Sequence, residues 1–101
     1  MKLDIMHVPG CPGAAILRSL LAPIVAECAD IQVTWHTVHN EDQARRQGMA
    51  GSPTLLVDGT DPFGLPGQQA SLSCRLYPGH DGRPGPAPSA AQLSSVLGVS
   101  R

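Results

Sequence analysis

Aromatic residues are nearly missing from this chain: Trp35, Phe63 and Tyr77 are the only three among 101 residues, so Leu, Val, Ile and Ala must build the core. No apolar run approaches the roughly 18 residues that a membrane-spanning helix needs. Neither sign of charge is in excess. A net charge of −1 excludes the basic footprint of a nucleic-acid or anionic-membrane binder, so neither partner is expected. The opening "MKLDIMHV" holds Asp4 and no cleavable segment, so it reads as a strand rather than an export signal and favours a cytoplasmic location. Cysteines number three, Cys11, Cys28 and Cys74, and an odd, small count argues against a disulfide framework. In a reducing compartment they are free thiols, metal ligands or redox groups. Phosphate-cradling glycine loops, paired C-x-x-C spacings and a Ser-His-Asp layout are absent too, and no cofactor or resident metal is implied.

What is present is the composition of a globular protein, with 42% apolar and 15% charged residues, enough for one domain over residues 1–101. Residues 2–8 alternate as a short strand. From Pro12 a helical stripe takes over, carried by Leu17, Leu21, Ile24 and Cys28, and Pro23 inside it should kink or split that helix. Residues 30–38 form a β-branched second strand, and 40–48 a short helix opened by Asn40 with Gln43 and closed by Gly48. Residues 52–59 read as a third strand, entered through Pro53 and left through Asp58-Gly59. A polar connection over 60–70 leads to a fourth strand at 71–77, and a Gly/Pro-rich surface loop covers 78–88. Ser89 with Gln92 caps a last helix that ends at Gly98. The order β-α-β-α-β-β-α predicts an α/β fold: a mixed four-stranded sheet with helices on its faces, its last two strands an antiparallel hairpin.

Cys11 falls between the first strand and the first helix. The free N–H groups and dipole of a helix start favour negative charge, so a thiolate there is stabilised and nucleophilic toward disulfides and soft metals, with Pro12 fixing the first turn. The alternative is a cysteine buried in a turn. Cys28 lies on the apolar stripe and reads as core. Cys74 is either a distant partner of Cys11 or a packed strand cysteine. His36 and His39 are set on opposite faces of a strand, a poor metal geometry. His7 and His39 lie near the sheet end where Cys11 sits, and either could face a thiolate as an imidazolium. His80 belongs to the Gly/Pro loop.

"GCP" after the first strand and "AGSPTLLVDG" some forty residues later resemble the thioredoxin-like family in its minimal, glutaredoxin-like form, over roughly residues 2–98. The stretch "HTVHNEDQARRQGMAGSPTLLV" follows that family's strand-helix-strand approach. The resemblance implies that Cys11 is the active thiol and that Pro53 follows a cis peptide bond and faces it. It also implies that Ser52 and Thr54 offer a free edge to a thiol or disulfide substrate, protein or small molecule. The motif departs at Ala14, where the family's second cysteine would stand. Cys11 would then act as a monothiol, be resolved by Cys74, or serve a redox-inert interaction domain. "GSPTLLVDG", "DPF" and "SCRLY" are also similar to small bacterial thioredoxin-family proteins sometimes labelled alkylmercury lyase. That label implies a soft-metal or mercury site of Cys11 and Cys74, with Asp58 or Asp61 delivering a proton.

Overall fold

Alternation in the first strand organises the molecule. In a computed structural model that describes residues 1–78 and 83–98, β1 (Lys2–His7) sends Leu3 and Ile5 to one face and Met6 to the other, all three fully buried. β1 runs parallel to β2 (Gln32–Thr37) and antiparallel to β4 (Thr54–Val57), giving the strand order β2-β1-β4. The parallel pair is joined by α1 (Pro12–Glu27), whose Leu17, Leu21 and Ile24 bury their side chains with Leu3, Ile5 and Leu55. Leu93 and Leu97 of α3 (Ala90–Leu97) complete that layer. On the other face, Met6 packs with Val38, with Met49 and with Ala44 of α2 (Glu41–Gln47).

Local chemistry accounts for the element ends. Asn40 accepts from the Gln43 N–H at 2.9 Å, and the Gln43 side chain reaches back to the His39 N–H, closing the start of α2. Ser89 and Gln92 form a reciprocal capping box at α3. Asp58 and Gly59 both take positive φ between Val57 and Thr60, the backbone of a tight hairpin turn. Pro23 does not divide α1, contrary to expectation. Pro23 and Ser19, whose carbonyl it leaves without a partner, are both exposed to water, while Leu21 and Ile24 anchor the helix on either side.

The four-stranded sheet expected from the sequence is absent among the described residues. There are instead sheets of three, two and two strands. Pro53, read as the entry to one strand, separates two: β3 (Ala50–Ser52) ends before it and β4 begins after it. β4 joins β1, whereas β3 pairs in parallel with β5 (Ser71–Cys74), so no hairpin links the last two predicted strands. A proline has no N–H to carry one ladder across position 53. The long 60–70 connection suits a crossover between parallel strands better than a hairpin. The predicted strand 71–77 also stops early. Arg75 turns its side chain inward to Asp61, and the chain resumes as β6 (Tyr77–Pro78), paired with β7 (Pro84–Gly85). His80 lies outside the described residues. The described end of its loop is more than a surface excursion, because Pro88 is buried and Pro86 packs against the head of α1.

Candidate functional site

Cys11 occupies the N-cap position of α1, half-buried, with Pro12 as the first helical residue. Its N–H donates to the Val8 carbonyl at 3.3 Å and its carbonyl accepts from Ala15 at 3.4 Å. The thiol itself makes no capping hydrogen bond. Cys11 therefore stands at the head of α1, where the first-turn N–H groups and the helix dipole favour negative charge, although its sulfur caps none of those groups.

The resemblance implied that Pro53 follows a cis bond and faces this corner. The Ser52–Pro53 bond is cis, and Pro53 is fully buried. Gly13 is the point of contact. A Cβ on Gly13 would overlap the Pro86 carbonyl oxygen and lie 2.9 Å from Pro53 Cδ, so only glycine lets helix, proline and loop close together. Tyr77 seals the floor: its phenol is buried and donates to the Pro53 carbonyl. Burial pushes the Tyr77 phenol well above its ordinary value; the charge of Arg75 opposes this, and negative charge at Asp61 and Cys11 adds to it. The phenol therefore stays neutral and keeps its proton for the Pro53 carbonyl.

The other site residues of the sequence reading are placed as follows. Ser52 is buried and its Oγ accepts from the Val8 N–H at 3.0 Å, tying the Cys11 loop to β3. Its carbonyl accepts from the Arg75 N–H at 3.0 Å, so β5 and its continuation occupy the edge that was expected to stay free. The Thr54 hydroxyl is fully buried, donates to Gly51 and accepts from Ala50. Both hydroxyls shape the corner from within. Cys74 stands opposite Ser52 at the end of β5 and is exposed. Cys28 packs against the core, and all three thiols are free.

A buried ion pair stiffens the back of the site. Arg75 donates to Asp61 at 2.7 and 3.2 Å and to the Phe63 carbonyl at 2.9 Å, and its guanidinium lies 4.8 Å above the Tyr77 ring. Burial raises the Asp61 carboxyl, but hydrogen bonds from Arg75, Gln68 and Phe63 and the charge of Arg75 outweigh it and hold the group below its usual 3.8. Asp61 is committed to Arg75, and Asp58 accepts from the Lys2 N–H at 2.8 Å. Neither carboxylate is aimed at Cys11 as a proton donor. Among the described residues no three His, Cys, Asp or Glu side chains gather to hold a metal ion.

In front of the sulfur is an open groove of about 320 Å³ lined by His7, Gly10, Cys11, Pro12, Ala14, Ala15 and Arg18. The Arg18 guanidinium stacks 4.1 Å over Trp35, and His7 meets the same ring edge-on. Sequence reasoning considered His7 but missed Arg18, Trp35, Gly13, Tyr77 and the Arg75–Asp61 pair. Arg18 was within reach, since it lies seven residues after Cys11, two turns along the same helix face. No family model, curated protein or solved structure matches the chain. Among the described residues no helix is long and apolar enough to cross a membrane.

Proposed function

We propose that this chain is a cytoplasmic thiol-disulfide exchange protein that works through Cys11 as a monothiol, with a protein or small-molecule thiol or disulfide as substrate. One observation carries the reading: Cys11 heads α1 at the point where Gly13 closes on the cis-bonded Pro53. A helix start favours a thiolate, and the resemblance of "GCP" and "GSPT" to the thioredoxin family supports the same assignment. Three free cysteines suit a reducing compartment.

The thiol loses its proton to solvent, and the Cys11 thiolate attacks one sulfur of a disulfide. A bond forms between Cys11 and that sulfur, the old S–S bond breaks, and the other half leaves as a thiolate with the electron pair. Cys11 is oxidised and the leaving half reduced. Ala14 is buried where a second motif thiol would stand, so a second thiol from solution attacks the mixed disulfide and restores Cys11. The test is site-resolved exchange with a neutral aromatic disulfide. The reading predicts that Cys11 forms the mixed disulfide first and that Cys11→Ser abolishes this fast phase. A fast phase that survives the substitution rejects it.

A further inference from the structure

The groove beside Cys11 has a charge character that its thiol chemistry does not require. Arg18 projects from the second turn of α1 and is held flat against Trp35, which comes from β2. Among the described residues no carboxylate pairs with that guanidinium. The groove itself is lined by no acidic residue, and α1 has none in its first turn. His7 stands across the same ring, and its Nδ1 lies 3.0 Å from the Val8 carbonyl. A carbonyl only accepts, so Nδ1 carries the proton and Nε2 is left for other partners. The acid nearest in sequence, Asp4, is taken by His36 at 2.8 Å and lies on the Met6 face of β1, away from α1.

We infer that Arg18, preorganised by Trp35, is an anion anchor that makes Cys11 select thiols and disulfides carrying a carboxylate or sulfonate. The geometry fits a small substrate. Seven residues of helix separate Cys11 from Arg18 by about 10 Å along the axis, and helical side chains lean back toward the N-terminus. Arg18 and Cys11 line the same groove, so a small organic thiol seated there meets both residues. Stacking on Trp35 removes rotamer freedom before binding and leaves the N–H edge open, a role that a lysine fills less well. The negative charge of the substrate meets Arg18 and the head of α1 together.

The inference rests on the exchange reading, and the experiment separates the two. Rates at Cys11 are read by peptide-resolved mass spectrometry with two reagents, the dicarboxylate dithiobis-nitrobenzoate and the uncharged dithiodipyridine. Arg18→Gln should slow the anionic reagent about three- to tenfold while the neutral reagent changes less than about twofold. About 0.5 M salt should bring the anionic rate of the unaltered protein toward that of the variant. Arg18→Lys should keep part of the preference. Equal slowing of both reagents assigns Arg18 to scaffolding and overturns the inference, as does no slowing of either. A slow Cys11 toward the neutral reagent defeats the exchange reading instead, because the ratio of the two rates does not depend on it.

Discussion

Gly13 is the residue on which the proposed site turns. Its missing side chain lets the head of α1 lie against Pro53 and against the backbone at Pro86. A methyl group there meets main chain on one side and a proline ring on the other, neither of which can rotate away. Gly13→Ala should destabilise the fold by about 1–3 kcal/mol, the usual cost of overpacking. It should also raise the accessibility of Pro86 by forcing the loop off the helix. Urea unfolding reads the first effect, and proteolysis in the 83–88 loop reads the second. A neutral Gly13→Ala would mean that the three segments do not close as described. Cys11 gains its position from this contact, whereas Cys28 and Cys74, equal in chemistry, sit in the core and on an outer strand.

At the level of elements, Pro53 and α3 matter most. Pro53, read from the sequence as the entry to one strand over 52–59, instead separates β3 from β4, and β5 pairs with β3, a partner that was not expected. The sequence carried that signal in the proline itself, but the apolar run "TLLV" on its far side masked the break. α3 has only eight residues and contributes Leu93 and Leu97 to the core, so its capping box bears much of the cost of starting it. Ser89→Ala should cost about 1 kcal/mol, measured by chemical denaturation, and should loosen the loop carrying Pro86. No loss on that substitution would show that packing alone holds the helix.

For the whole molecule, the buried Asp61–Arg75 pair sets the response to acid. The folded Asp61 carboxyl sits below its ordinary value, so its contribution to stability is complete above about pH 4 and is lost as pH falls through the folded value. Asp61→Asn should flatten the acid limb of stability against pH below about 4, and it should lower stability at neutral pH because Arg75 loses a charged partner. An unchanged acid limb would remove Asp61 from that role. This pair was illegible in the sequence, since the partners lie fourteen positions apart, across a long connection and the strand β5, and no periodicity links them. The α/β class, the helix caps, the amphipathic stripe of α1 and the corner at Cys11 were legible, because each depends on neighbours in sequence. Sheet pairing was not, because it depends on which edges meet after collapse, and the length of the 60–70 connection suits a crossover without saying which strand β5 joins.

The central claim is that position, more than exposure, decides which thiol works. Cys74 is the more exposed and Cys11 the one at a helix head. The most direct measurement is the rate of mixed-disulfide formation with dithiodipyridine at each cysteine of the native protein, resolved by peptide mass spectrometry at neutral pH. The account predicts that Cys11 reacts at least about tenfold faster than Cys74. Cys74 reacting first, or the two reacting at equal rates, would contradict it.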